Sequence, residues 1–564
     1  MTSLYIRALF LGVIGGAYGL LFELENLKGK YSSSSRVIDV GVIGAGVGGL
    51  SAASILNAKY GVNCEVFESH YRPGGVSHSF PIKARVGDKA TYEFDAGPTI
   101  LLGCSSAPFN PLQQVLNSVG AGSEIEWKQY YSWGMHDETG SWTFELGESK
   151  FEKEIAKRDG EKGVEEFRRL REACMPLCAG AADIPTMALR SGRFKLLPLL
   201  PHYQALQKVI PYATELDGSF ASFMDEHITR GSWLEHWLDA LAFSLSGLPA
   251  RETGAAAMAY TLFDLHRDGG TLDYPSGGMG KIASTFVKVV RETGGEVHLS
   301  SPVDRIIVDR GRAIGLALAS GEFVRCRRGV ICNAPVWALG DLLRGQEDKL
   351  LPDQRKALEE CSYDSLETTK SFMHLHLGLD ATGLELSKMQ PHFTVMSQGL
   401  GNADPCADRN MVCVSNPSVL DPSLVDQPGK MVVHAYGAGN EDYRQWAGLT
   451  RGSKAYEEKK AMDSDFLYES VSRALGLSLS EIRERAEVAL PGTPLTHEHF
   501  NRRHKGTYGA AWSSMLREPE TAIKGLLLAG DSVFPGIGVP AVALSGATAA
   551  NTMVSVGRQL LYCR

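Results

Sequence analysis

The sequence predicts an α/β architecture: a mostly parallel sheet interrupted by a large inserted region. Three observations carry this. A strand, glycine turn, helix and strand follow one another near the start of the chain. A helical and irregular stretch fills its middle, and a strand, glycine turn and helix close its end. In the first unit, Val37 to Gly44 is a β-branched run ending in glycine, and Val47 to about Tyr60 reads as a helix of small residues. Cys64 to Phe67 then reads as a second buried strand, which completes a βαβ unit of Rossmann-like type.

The remaining elements follow in order. Glu148 to Ala259 reads as helical, with apolar stretches such as Phe194 to Leu200, and does not continue a parallel sheet. Gly294 to Val308 reads as strand again, and Ala313 to Val324 as a hairpin around Ser320 and Gly321. Val330 to Cys332 is expected as a separate buried strand. Between Tyr363 and Val433 lie several strand-like runs, including Ser371 to Leu377, and one helix is expected over Tyr456 to Ala474. Gly525 to Val554 reads as strand, glycine-rich turn and small-residue helix. At 564 residues the chain exceeds one simple core, so a second or inserted domain is expected.

Composition narrows the function classes. Hydrophobic residues at 44% and charged residues at 22% are ordinary for a folded protein. A net charge of −8 without a basic block argues against nucleic-acid binding, where affinity comes from neutralising phosphates. Cys174 and Cys178 are spaced C-x3-C with no second pair or His nearby, so they predict one face of a helix and no metal site. Arg7 precedes an apolar run from Ala8 to Phe22, too short for a spanning helix of about 20 residues. Ser32 to Ser35 follow it. Residues 1–35 therefore read as a targeting or anchor segment outside the main fold.

The first turn carries the chemistry. Val42-Ile43-Gly44-Ala45-Gly46-Val47-Gly48-Gly49 contains G-x-G-x-x-G. Gly44 permits the tight turn, Gly46 admits a pyrophosphate close to the backbone, and Gly49 lets helix and strand pack. The helix start offers free N–H groups and a positive dipole to phosphates. Glu68 ends the next strand, where a carboxylate can accept both hydroxyls of an adenosine ribose and repel a 2′-phosphate.

Glu68 is followed by Arg72-Pro73-Gly74-Gly75, giving E-x3-R-x-G-G. This resembles the fingerprint of the FAD-dependent amine oxidase and phytoene desaturase superfamily. The resemblance implies FAD as cofactor, with Arg72 bracing the ribose–phosphate region and Gly74 and Gly75 lying against it. In many members another Arg follows; here the position is Val76. Phe94-Asp95-Ala96-Gly97 resembles the family's F-D-x-G strand. Ser301 to Ile306 resembles the strand whose Val303 backbone holds adenine, and Val330 to Pro335 the segment after it. Leu527 to Asp531 and Phe534 to Val539 resemble the C-terminal cofactor contacts. Gly530, Asp531, Gly538 and Val539 are thereby implied alongside Gly44, Ala45, Gly46 and Gly49.

Tyr274 to Gly280, Lys505 to Gly509 and Gly530 to Gly536 together resemble the carotenoid isomerase (prolycopene isomerase) branch of the phytoene desaturase-like FAD-dependent oxidoreductase family. The resemblance implies a Rossmann-like FAD-binding domain of glutathione-reductase/amine-oxidase type with an inserted α+β substrate domain. Its parts are 36–147, 260–340 and 501–564 for the FAD domain, 148–259 for an inserted helical region contacting substrate and membrane, and 341–500 for the substrate domain. It implies a redox-neutral cis–trans isomerisation of a long apolar polyene, with the chemistry on the flavin. It also implies a plastid location if the organism is a photosynthetic eukaryote, with 1–35 as transit peptide, and otherwise an N-terminal membrane anchor.

Phe194 to Leu200, flanked by Arg193 and Lys195, is either a membrane-dipping patch or a core segment. No catalytic triad, metal cluster or carboxylate dyad emerges from spacing, so no catalytic residue is assigned. His374 and His376 alternate on an expected strand and face one side; His497 and His499 share that spacing. Both pairs read as structural or pocket-lining residues. The competing readings are a carotenoid desaturase, a retinol-saturase-like reductase, an amine oxidase and a flavin-containing carotenoid carrier.

Overall fold

The computed structural model describes residues 35–85, 89–97, 99–210, 216–362, 365–515 and 518–563, so the targeting or anchor reading falls almost wholly outside the described residues. The first sheet has seven strands. Glu296–His298, Cys64–Phe67, Ser35–Ile43 and Phe323–Cys332 lie side by side, and Leu526–Leu528 pairs with the last of these. All four pairings are parallel. Val40, Val42, Val66, Val330 and Ile331 are fully buried. Such unbroken apolar runs suit a parallel sheet covered on both faces. The helix Val47–Ala58 packs on it, as the sequence predicts. Because four of these strands point the same way, their C-terminal ends at Gly44, Glu68, Asn333 and Gly530 open onto one crevice.

Val303–Asp309 and Arg312–Leu318 extend the sheet as antiparallel strands. The expected separate strand at Val330 to Cys332 is instead the end of one ten-residue strand, Phe323–Cys332. Arg325, Arg327 and Arg328 suggest a loop, yet Arg327 points to solvent while Cys326 beside it is buried. The strand changes partners at Gly329, whose φ of 154° sets it against Gly525; a Cβ there would lie 2.0 Å from the Gly525 oxygen.

A second seven-stranded sheet runs Ala486–Gly492, His374–Asp380, Lys430–Gly437, Met411–Ser415, His392–Met396, Ser132–Asp137 and Gly140–Glu145. One face carries Leu375, Leu377, Leu379, Val412, Val414, Val433 and Ala435, packed with Leu467 and Val471 of a covering helix. The other face carries Met396, Met411, Cys413 and Val432 into the core shared with the first sheet. The strand expected from Ser371 begins at His374. The single helix expected over Tyr456 to Ala474 is two, Lys454–Asp463 and Asp465–Leu475. At the junction the Ser464 hydroxyl bonds back to the Ala461 carbonyl, a local competitor with helical pairing.

A helical region is built chiefly from Glu148–Ala182, Trp233–Ser246 and Ala255–His266, the first packed on the other two. Cys174 and Cys178 sit buried on one face of the first of these.

Candidate functional site

The crevice is built from glycines that could not be anything larger. Gly44 turns the chain at φ 92°, and Gly46 caps the helix Val47–Ala58. A Cβ on Gly49 would lie 2.3 Å from the Gly44 oxygen, and one on Gly46 would lie 2.6 Å from Asn333 Nδ2. The loop Arg72 to Gly75 folds back over this turn: Gly74 N–H donates to the Ala45 oxygen at 2.7 Å. Gly75 comes so near that its Cβ would be 3.3 Å from Gly46 Cα. Arg72 Nη1 donates to the Ser79 oxygen at 3.3 Å, while its buried Nε has no partner.

Glu68 closes one end of the crevice. Its carboxylate accepts from the backbone N–H of Ala45 and of His70, both at 2.7 Å. Ser301 N–H donates to the Glu68 carbonyl at 2.7 Å, which brings the stretch before Val303 alongside. Val303 itself opens the strand at the far edge of the same sheet, opposite Leu318.

The C-terminal segment completes the wall. Gly530 has φ 105°, and its N–H donates to Ser545 Oγ at 2.8 Å. Gly538, at φ 119°, caps the helix Val539–Met553, with Val539 buried at its first position. This helix packs on Val47–Ala58 at van der Waals limit: a Cβ on Gly546 would lie 2.1 Å from the Gly48 oxygen. Asp531 is engaged by Arg503, 2.8 Å from Nη1. Arg503 also donates to the carbonyls of Thr507 and Tyr508, so it ties Lys505 to Gly509 onto the Gly530–Asp531 turn.

Asn333 is the residue that sequence reasoning passed over. It ends the central parallel strand, its amide lies against Gly46, Gly48 and Gly530, and its buried Oδ1 has no partner. The signal was present: a polar side chain at the C-terminal end of a parallel strand, where such sheets bind ligands. With free N–H groups at a helix start, an acceptor at Glu68 and two buried polar atoms lacking partners, the cradle fits a dinucleotide.

The second sheet turns an unexpected face toward this crevice. His374 and His376 share that face, as predicted, with His434 opposite His376 and Tyr436 opposite His374. His497 and His499 do not share a side: they lie on the helix Pro494–Asn501, where residues two apart diverge, so His497 is buried and His499 exposed. His374 Nδ1 lies 3.2 Å from His497 Nε2. His376 Nε2 donates to the Asp95 oxygen at 2.8 Å, and its ring stacks on His434 at 4.2 Å. Burial pushes His376 down to about 4 and His392 and His497 to about 3, and drives His374 and His434 well below the usual imidazole range. Among the described residues no group of three or more His, Cys, Asp or Glu is placed to hold a metal.

Comparison with known proteins agrees with this architecture. A family model described as an NAD(P)-binding Rossmann-like domain matches residues 42–119. The chloroplastic prolycopene isomerase of Daucus carota is 29% identical, over 94% of this chain and 82% of its own. The all-trans-retinol 13,14-reductase of Danio rerio is 25% identical, over 92% and 87%. Among solved structures, an oxidoreductase from Methanosarcina mazei has a TM-score of 0.55 at 16% identity, covering 90% of this chain and 99% of that one. Fold, crevice and relatives together define an enzyme of oxidoreductase type built on a Rossmann-like dinucleotide-binding domain. The chain is similar to prolycopene isomerases and, more distantly, to a phytoene desaturase.

Proposed function

We propose that the protein is an FAD-dependent cis–trans isomerase of carotenoids that leaves their oxidation state unchanged. The observation that supports this best is similarity to a prolycopene isomerase across 94% of the chain, joined to an intact dinucleotide cradle. FAD, when bound, supplies the redox centre that alters the bond order of a polyene. The chain does the rest. Glu68 accepts the ribose hydroxyls, the turn Gly44 to Gly49 and Asn333 receive the pyrophosphate, and Gly74 and Gly75 leave room for it. The buried face of the second sheet keeps water from the substrate.

Incubating the reduced holoenzyme with a cis-carotenoid should give a product of unchanged mass and red-shifted absorbance. Loss of two hydrogens would make the protein a desaturase and end this reading. The zebrafish relative supports a second reading, polyene reduction, which the same mass measurement identifies by a gain of two hydrogens.

The polyene is delivered from a membrane surface, on this reading. No helix among the described residues is long and apolar enough to cross a bilayer. Phe194, Leu196, Leu197, Leu200 and Tyr203 are nevertheless exposed, and so are Leu560, Leu561 and Tyr562. His202 Nε2, 2.8 Å from the Cys563 oxygen, holds the two segments together as one patch. Patches of this kind mark interaction surfaces. Flotation with phosphatidylcholine vesicles should carry the protein, and L196E/L200E/L561E should reduce the floated fraction about tenfold or more, given ~1.5–3 kcal/mol for each buried leucine. Equal flotation of the two proteins would remove the patch from consideration. The chloroplastic relatives support a plastid as the compartment.

A further inference from the structure

The face of the second sheet beside the crevice is polar where a hydrocarbon site would be apolar. Four side chains form a row across four strands: His392 opposite Ser415, Ser415 opposite His434, and His434 opposite His376. All four are buried, at 2, 2, 4 and 2% exposure. Both ends of the row are anchored, since His376 donates to the Asp95 oxygen and Ser415 and His392 both meet Thr99. The middle is not. Neither ring nitrogen of His434 has a partner; nor has His392 Nδ1, nor the hydroxyl of Tyr130, whose ring stacks on His392 at 5.2 Å.

Such a set is costly. A buried donor or acceptor left unpaired costs about 1–3 kcal/mol, and native proteins pair nearly all of them. Four unpartnered polar atoms on and beside one sheet face therefore call for a partner that is itself polar. Its character follows from the chemistry. Burial keeps the imidazoles neutral and lifts Tyr130 and Tyr436 well above the usual phenol range, so the surface offers uncharged donors and acceptors. Alcohols and carbonyls match it. A carboxylate or phosphate would look for a cation.

The row also adjoins the loop that folds over the cradle. Asp95, its anchor at His376, leads to Gly97, which packs so tightly on the glycine-pair loop that a Cβ there would lie 2.3 Å from the Val76 oxygen. On the other side, Tyr508 of the segment tied to Asp531 donates its hydroxyl to the Ser244 carbonyl at 3.0 Å.

We infer that this row is the substrate-end subsite of the enzyme, that His434 hydrogen-bonds an oxygen on the polyene, and that the natural substrate is an oxygenated carotenoid bearing a hydroxyl or carbonyl. The inference rests on the polyene reading above and deepens it by naming the substrate class.

The test is a binding measurement on the holoenzyme, independent of turnover. Lycopene and a terminally hydroxylated lycopene derivative are titrated in detergent micelles, with tryptophan quenching as readout and flavin absorbance as the check on folding. The wild type should bind the hydroxylated polyene at least about tenfold more tightly, the worth of one satisfied buried hydrogen bond. His434→Phe, which retains a flat ring against His376, should abolish that preference; Tyr130→Phe should reduce it. Equal affinities in the wild type would mean that water alone serves the row, and would overturn the inference while leaving the polyene reading intact. A preference that survives His434→Phe would overturn the assignment to His434. Binding of neither polyene by a flavin-loaded protein would overturn both readings.

Discussion

At pH 5 the protein is expected to be several kcal/mol less stable than at pH 7.5. His266, His392 and His497 are held near 3 and His376 near 4 by burial, against about 6.5 for an imidazole in the unfolded chain. The sign follows from proton counting. Between the folded and unfolded values the unfolded chain binds more protons, so stability falls as pH falls below about 6.5 and is fully present above it. From pH 7.5 to 5 each such histidine costs about 2 kcal/mol. Asp239 works the other way: its carboxyl is raised to about 6 by burial, so protonation there returns about 1.4 kcal/mol by pH 5. The histidines outweigh it. Against a typical total of about 5–15 kcal/mol, the net loss brings the protein close to unfolding. Urea midpoints followed by tryptophan fluorescence at the two pH values check this. His392→Asn should retain more of its stability at pH 5 than the wild type does, relative to each protein at pH 7.5. A midpoint flat from pH 7.5 to 5 would show that these imidazoles are not buried neutral.

How these histidines escaped a reading from sequence is instructive. His374 and His376 were legible as a same-face pair, because strand alternation is a local rule. The row partners of His376, namely His434, Ser415 and His392, lie on three other strands, and nothing local predicts that four strands will align them. His497 illustrates the opposite error. Its spacing to His499 looks strand-like, but Pro494 starts a helix there and separates the two side chains. The cradle was far more legible. Gly44, Gly46, Gly49 and Glu68 belong to a short contiguous unit in which turn, helix start and strand end are all dictated by neighbours. The return of Gly530 to the same crevice was legible only through family resemblance, since about 480 residues separate the two turns and they are joined by tertiary pairing, Phe323–Cys332 with both Ser35–Ile43 and Leu526–Leu528, and by the packing of Gly546 on Gly48. Asn333 was missed for the same reason: its role exists only once Gly46, Gly48 and Gly530 surround it.

Replacing Glu68 with alanine is expected to weaken FAD binding by about two to four orders of magnitude. The carboxylate is the acceptor on the adenosine side of the cradle, and hydrogen bonds to a charged group are worth about 1.5–3 kcal/mol each, two of them for a ribose diol. It also organises the turn itself, accepting from Ala45 and His70. Glu68→Gln separates these roles. It preserves size and one acceptor oxygen, so the turn should form while the charge-assisted part of the ribose contact is lost, giving a loss intermediate between wild type and alanine. Titration of apoprotein with FAD, followed by quenching of flavin fluorescence, measures all three. The alanine variant should also gain relative affinity for a cofactor carrying a 2′-phosphate, since the repelling charge has gone. If FAD binds the alanine variant as tightly as the wild type, the adenosine end is held elsewhere, and the assignment of this cradle to FAD fails with it.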